Sequence, residues 1–327
     1  MVRSDSPARV SIIIVSFNTA DLLADCLQSV YDDPDSEHWQ IIVADNASGD
    51  DSVAMVLERF PGVHVLALDR NYGFAAANNR GAEVACGDHL LFLNSDTVVP
   101  VGAIGELADY LEATPDAAIV GARLLSPDGS LQLSARSFPG PLNTFLLYSG
   151  LSRLLPGVRP FGAPYLSYID HTQVNDVDYV DGACLMMRRA TFDRLGGWCE
   201  DYFLYAEDAD LCFRARQLGA SVIYYGPRHI THVGGASAAR VAVRSTLESH
   251  RSTFLFILRH RGRAAFWLTR LLTTLGVLPR LLATAIAYPF AALLGRADAM
   301  GSRVRLYRRV LALCLSRNVL PTGGLMR

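Results

Sequence analysis

Carboxylates and amides gather where the apolar runs of this 327-residue chain end. Asp45 and Asn46 follow the run IIVA, and Asn94, Ser95 and Asp96 follow LLFL. A carboxylate at the carboxyl end of a buried strand stands over the crevice in which open α/β sheets hold their ligands. It can equally well close an Asx-turn or cap the next helix. Two such ends, without GxGxxG or GxxxxGK[ST] anywhere, point to a nucleotide site that is neither a dinucleotide fold nor a P-loop. Further along, Glu207, Asp208 and Asp210 follow the aromatic residues Tyr202, Phe203 and Tyr205. Acids in the first turn of a helix are favoured by its dipole, so these three are either terminal decoration or an acceptor site with a general base.

The elements that must position these residues alternate in kind. Residues 10–17 (VSIIIVSF) predict a strand buried on both faces. A helix follows, with Leu22, Leu23, Cys26, Leu27 and Val30 at helical spacing. Strands are predicted over 41–45, 63–68, 89–94 and 117–125, with helices over 52–60, 74–85 and 101–113. This alternation predicts a mostly parallel, doubly wound α/β sheet. Past residue 125 the rhythm changes. Pro127-Asp128-Gly129 signals a hairpin, 137–177 reads as an irregular insertion, and 177–189 returns to strand. A helix over 208–218, a strand over 221–225 and a helix over 238–259 complete the series.

Composition narrows the classes. At 50% apolar and 19% charged residues, the chain is too hydrophobic for disorder. All 30 cations are arginine, which excludes a P-loop lysine, a Schiff-base lysine and a lysine general base. The six cysteines form no CxxC and predict reduced thiols in a cytosolic protein. Acids and a proline precede the first apolar run, so no signal peptide is expected there. The net charge of −2 conceals an asymmetry. Residues 228–327 hold 16 Arg against Glu248 and Asp298, a balance of +14, and the remainder carries −16. A basic tail of this kind meets an anionic partner.

Several segments, in order, resemble the inverting glycosyltransferases of family 2, which have the GT-A fold. They are VSIIIVSFN at 10–18, VADNASGDDS at 43–52, RNYGFAAANN at 70–79, LNSD at 93–96, DGACLMMRR at 181–189, LGGWCEDYFLYAEDADLCFR at 195–214 and HITHVGGAS at 229–237. The resemblance covers about residues 9–260 and is strongest to rhamnosyltransferase-type enzymes of cell-surface polysaccharide assembly. It implies a nucleotide-sugar donor such as dTDP-rhamnose or a UDP-sugar. Asp45 would accept the N3–H of a pyrimidine base, with Asn46, Asn71, Gly73 and Asn78 beside the nucleotide and Asn94 and Ser95 near its phosphates. Asp96, in the place of the DxD-type motif, and His232 would hold Mn2+ or Mg2+, with His229 a competitor. The family often has a carboxylate where Asn94 stands. Asp208 of the ED motif would be the base and Glu207 its orienting neighbour. Asp181 and Gly182 would line the sugar pocket, and Trp198 and Tyr205 the acceptor site.

The resemblance ends before the tail, giving a catalytic domain over 1–260 and a helical extension over 261–327. Its longest charge-free stretch, 281–295, is shorter than the ~20 residues that span hydrocarbon. Arginines 259, 261 and 263 precede the apolar segment, and 303, 305, 308 and 309 follow it. The pattern predicts an in-plane amphipathic element or re-entrant hairpin at the cytoplasmic face of the membrane, suited to a glycan or polyprenyl-linked acceptor. A helical layer packed on the domain is the alternative. No nucleic-acid motif accompanies the arginines. A sugar nucleotidyltransferase would want a glycine-rich basic loop after the first strand, which SFNTADLL lacks. A non-catalytic binding protein would not need Asp96, Asp208 and His232 together.

Overall fold

The computed structural model describes residues 8–234, 242–293 and 297–316. These form two compact units: 8–136 with 170–203 and 207–234, and 137–169 with 204–206 and the described residues from 242 onward.

The first unit is built on strand β1 (Val10–Ser16), whose β-branched run is buried on both faces. It lies between β2 (Trp39–Asp45) and β4 (His89–Asn94) and is parallel to both; β3 (His64–Ala67) adds to β2 in parallel. Strand β5 is the short Thr97–Val98, β6 runs Ala117–Leu125, β7 is Leu131–Gln132, β8 Ala135–Arg136, β9 Val174–Asp176, β10 Tyr179–Val180, β11 Cys184–Arg188 and β12 Ser221–His232. The large sheet has the order β3-β2-β1-β4-β11-β6-β12-β5. Strand β11 is antiparallel to both β4 and β6, and β12 is parallel to β6. The sheet is therefore mixed: the predicted parallel block occupies one side, and one reversed strand separates it from the β6–β12 pair. Helices α1 (Ala20–Tyr31), α2 (Ser52–Arg59), α3 (Phe74–Val84) and α4 (Ala103–Ala113) cover the first half in the order predicted.

Three predicted features change. The run over 177–189 is two strands, β10 and β11, because Asp181-Gly182 forms a turn between them. Strand β12 continues to His232 past Gly226-Pro227, which reads as a terminator; the register slips between Tyr225 and His229, and a bulge tolerates the proline. The insertion over 137–177 contains a helix, α5 (Pro141–Ser149), with Pro141 in its first turn and left-handed Gly150 at its end.

Two more helices, α6 (Arg189–Leu195) and α7 (Glu207–Gln217), belong to the first unit. In the second unit α8 spans Ala242–Leu293 and breaks at Gly262, where φ is 83° and ψ 177°. Positions 238–241 of the predicted helix lie outside the described residues. Helix α9 is Ala297–Leu315, and the buried Arg270 of α8 donates to the Cys314 and Ser316 carbonyls at its carboxyl end. His250 stacks on Tyr148 with ring centroids 3.8 Å apart, and burial pushes its imidazole down to about 4.

Helix α3 lies against β1 at Gly81, where an added Cβ would come within 2.5 Å of Ile13 Cγ2. Gly81→Ala should therefore destabilise the protein by about 1–3 kcal/mol in chemical denaturation, although alanine favours a helix by ~1 kcal/mol. A second substitution, Ile13→Leu, removes that methyl and should recover part of the loss. Stabilisation by the alanine alone would refute the close packing.

Candidate functional site

The sheet topology brings the predicted residues to one edge. Strands β2 and β4 are parallel and end at Asp45 and Asn94. Strand β12 is parallel to β6, which runs in the same sense as β4, so its end at His232 falls at that edge too. Because β11 is reversed, it is its beginning, next to Asp181-Gly182, that arrives there. Ala183 O accepts a hydrogen bond from Asn94 N at 2.9 Å.

At the end of β4 the chain turns through Ser95 and Asp96 into β5, whose Thr97 is paired with His232. His232 Nε2 lies 3.2 Å from Asp96 Oδ1, and the two side chains keep 14% and 11% exposure. Gln132 donates from Nε2 to His232 O at 2.6 Å, so its Oε1, 2.8 Å from His232 Nδ1, is the acceptor. That bond puts the imidazole proton on Nδ1 and leaves a lone pair on Nε2. Asn94 Nδ2 donates to Nε2 at 3.2 Å. Gly234 N–H donates to Asp96 Oδ2 at 3.1 Å. Asp96 Oδ1 and His232 Nε2, an oxygen and a nitrogen 3.2 Å apart, are donor types that can hold Mn2+ or Mg2+. Among the described residues no three His, Cys, Asp or Glu side chains converge as a metal cage. His229, three positions earlier on β12 and paired with Arg123, leaves the opposite face of the strand. Ser95 is buried and bonded to Thr19, which is bonded in turn to Ser16.

Asp45 is buried. Both its oxygens accept from Ser48, from the amide at 2.8 Å and the hydroxyl at 2.5 Å. Asn46 spans the adjacent loop: its Oδ1 accepts from Tyr72 N and its Nδ2 donates to Gly73 O. Asn71 Oδ1 accepts from Gly73 N at 2.9 Å. Gly73 is held at φ 87°, and a Cβ there would meet Phe203 O at 2.4 Å, so only glycine fits. Asn78 is buried on α3; its Nδ2 donates to Phe74 O, and its Oδ1 has no hydrogen-bond partner.

The acids are the third corner. Asp208 accepts hydrogen bonds from Gly182 N at 3.1 Å and Ala209 N at 2.8 Å. Burial first, and the Asp181 charge second, push its carboxyl up to about 6. Glu207 is raised well above the glutamate range, chiefly by burial and then by Asp208; its Oε2 has no hydrogen-bond partner. Asp181 is gripped by Arg136, Nε to Oδ1 at 2.6 Å and Nη2 to Oδ2 at 2.9 Å. Trp198 corrects an expectation: at 2% exposure, with its ring set edge-on against Phe74 and Phe92, it is a core residue and offers no face to a sugar. Tyr205, in the second unit, is bonded to Ser245 at 2.5 Å and takes a left-handed φ of 70°. Gln132 and Arg136 are the residues that sequence reading missed. The hairpin signal at 127–129 was the available clue, because it turns the following strands back towards this edge.

A family model described as glycosyl transferase family 2 matches residues 11–196. The N-acetylglucosaminyl-diphospho-decaprenol L-rhamnosyltransferase of Mycobacterium tuberculosis is 29% identical over 237 residues, covering 68% of this chain and 76% of the relative. Rhamnosyltransferase WbbL of Escherichia coli K12 is 27% identical over 262 residues, covering 77% and 94%. Among solved structures, the mannosyltransferase PcManGT of Pyrobaculum calidifontis, in complex with GDP-Man and Mn2+, superposes with a TM-score of 0.58 at 17% identity, covering 94% of this chain and 86% of that one. The fold is the GT-A fold of these glycosyltransferases.

A carboxyl raised by folding keeps its proton more tightly in the native state, so its ionisation costs stability as pH rises above the unfolded value of about 4.3. Glu207→Gln is neutral at every pH. Its melting temperature relative to the wild type should therefore climb as pH rises above that unfolded value. A difference independent of pH would show that Glu207 titrates normally.

Proposed function

Because the chain belongs to glycosyl transferase family 2, we propose that it is an inverting, metal-dependent hexosyltransferase of cell-surface polysaccharide synthesis. Its donor is a nucleotide-diphosphate sugar, dTDP-rhamnose or a UDP-sugar, and its acceptor a glycan or polyprenyl-linked saccharide. The observation that carries this reading is Asp208: a buried carboxylate held by the Gly182 amide and tuned to about 6. Such a group is ionised at neutral pH yet basic enough to take a proton in a transition state. The acceptor hydroxyl attacks C1, its proton passes to Asp208, the bond from C1 to the diphosphate oxygen breaks, and the configuration inverts.

Asp96 and His232 would hold Mn2+ or Mg2+, which when bound offsets the negative charge of the diphosphate leaving group. Gln132 bonds His232 at Nδ1 and so fixes the orientation of the ring beside Asp96. Asn46 and Asn71 shape the loop around Gly73, where backbone meets the nucleotide, and Asn78 adds an amide oxygen that nothing in the protein binds. Asp45, tied to Ser48, presents its carboxylate at the base; Ser95 supports the phosphate turn. Asp181 and Gly182 line the sugar pocket, Glu207 stays protonated beside the base, and Tyr205 serves the acceptor. The relative named as an N-acetylglucosaminyl-diphospho-decaprenol L-rhamnosyltransferase supports the donor sugar and the acceptor class, and rhamnosyltransferase WbbL supports the donor sugar.

The catalytic domain is taken as 1–260 and the extension as 261–327; the break at Gly262 supports that division, whereas the compact units group 137–169, 204–206 and 242–260 with the extension. Helix α8 is long and apolar enough to cross a membrane by length and composition. However, Phe266, Arg270, Thr273 and Val277 are buried on one side, while Trp267, Leu271, Leu275, Leu278, Leu282 and Ile286 are exposed on the other. Exposed arginines 259, 261, 263, 303, 305, 308 and 309 accompany that apolar face. This supports a peripheral or monotopic seat in the plane of the cytoplasmic leaflet rather than a span.

Asp208→Asn should lower transfer by at least about 10³-fold while leaving the affinity for UDP or dTDP within about twofold of wild type, measured by calorimetry with Mn2+; near-wild-type transfer would remove Asp208 as base. Trp267→Glu with Leu271→Glu should release the protein from vesicles containing anionic lipid in a flotation assay. Unchanged flotation would overturn the in-plane seat.

A further inference from the structure

The Arg136–Asp181 pair stands beside the proposed base, yet nothing in the reading above uses Arg136. The two residues meet through a small two-stranded sheet. Strand β8 pairs antiparallel with β10, setting Arg136 opposite Tyr179 and Ala135 opposite Val180. One residue on, Asp181 N donates to Ser134 O at 2.9 Å. The guanidinium then takes both Asp181 oxygens, at 2.6 and 2.9 Å, each side chain keeping about a quarter of its surface exposed. The next amide, Gly182 N, is the one that bonds Asp208 Oδ2. An added Cβ on Gly182 would lie 3.7 Å from Asp208 Cβ, so the turn and the start of α7 are in close register. A fork-to-fork pair has one preferred geometry, so Arg136 fixes the rotation of the 181–182 turn.

We propose that Arg136 is a positioning residue for Asp208: by clamping Asp181 it aims the Gly182 amide at the Asp208 carboxylate and balances the Asp181 charge beside it. The inference rests on the reading of Asp208 as the base. On its own helix Asp208 has Glu207 beside it, Asp210 is bonded to Arg214, and Cys212 lies one turn on. From the turn come Asp181, which raises the Asp208 carboxyl, and Arg136, which lowers it. Of the elements packed against α7, β10 carries Tyr179, β12 carries Tyr224, Tyr225, Arg228, His229 and His232, β6 carries Arg123, and α6 carries Arg189, Asp193 and Arg194.

Because the two partners act on Asp208 in opposite senses, removing each should move its titration in opposite directions. A merely structural pair would not do this. The full chain labelled with [13Cγ]aspartate, its Asp208 resonance assigned by loss in Asp208→Asn, reports the midpoint directly. Arg136→Met should raise that midpoint by about one pH unit, Asp181→Asn should lower it by about one unit, and Arg136→Lys should lie closer to wild type than Arg136→Met. The acid limb of kcat/KM, with dTDP-rhamnose as donor and a polyprenyl diphosphate saccharide as acceptor, should move the same way. Shifts of the same sign, or none, in the two folded variants overturn the proposal; if Arg136→Met fails to fold, Arg136→Lys and Asp181→Asn still decide it by the sign of their shifts. Transfer by Asp208→Asn at the wild-type rate would remove the base assignment instead, whatever the resonance does.

Discussion

Keeping Asp208 ionisable while it is buried is the constraint on which the acid side of this molecule depends. A carboxylate taken out of water costs several kcal/mol unless hydrogen bonds replace its hydration. Here two carboxyls, Glu207 and Asp208, are buried side by side, and burial raises both. The chain meets the cost for Asp208 with backbone groups, the amides of Gly182 and Ala209, and with the start of α7, where the helix dipole is positive. Glu207, at the start of the same helix, leaves its Oε2 without a hydrogen-bond partner. The two carboxyls are adjacent in sequence, and their surroundings push their titrations apart. Neighbouring acids that separate in this way divide the work, one remaining protonated and one ionised.

That arrangement needs a turn at 181–183, and the sheet supplies it by reversing a strand. Had the segment 179–188 continued as one strand, its backbone amides would have gone to the ladder. It stops at Val180 and restarts at Cys184, so the Asp181 amide bonds Ser134 and the Gly182 amide is left for Asp208. The reversed strand also places this turn at the edge where the parallel strands end, so that Ala183 bonds Asn94. The Asp96–His232 corner and the acid corner thereby lie at one edge of one sheet. Both corners repeat a device: a side chain at the edge is held by a polar residue of a two-residue strand. Gln132 holds His232, and Arg136 holds Asp181.

The residues that could be read from the sequence are those at the ends of apolar runs. Asp45, Asn94 and Asp96 announce themselves because strands β2 and β4 are unbroken hydrophobic stretches. Glu207 and Asp208 were visible because three acids open a helix. The supporting residues were not, since nothing local marks them. Gln132 acts on a histidine 100 positions away, and Arg136 on an aspartate 45 positions away. Both sit on two-residue strands too short to show a period. Trp198 was misjudged because an aromatic near acids looks the same in sequence whether it faces solvent or core. Only packing against Phe74 and Phe92 decides. The extension of β12 past Gly226-Pro227 was hidden by a local rule that a bulge overrides.

The charge asymmetry takes a different form once partners are known. In the first unit many acids face arginines of the same unit: Arg9 with Asp109 and Glu112, Arg228 with Glu106, Arg216 with Asp176, Arg214 with Asp210. Exposed pairs of this kind contribute little stability each, but they cancel much of the local field. In the second unit, Arg251 with Glu248 is the ion pair found among the described residues. This unit is rich in arginine and poor in acids, and its long helix shows Trp267 at 60% exposure and a row of leucines. An apolar stripe alone would favour self-association, and a cationic patch alone would bind anions weakly and be screened by salt. Together they suit an anionic lipid surface, where area burial and charge attraction add. The −2 net charge of the whole chain therefore says less about its behaviour than where its arginines lie.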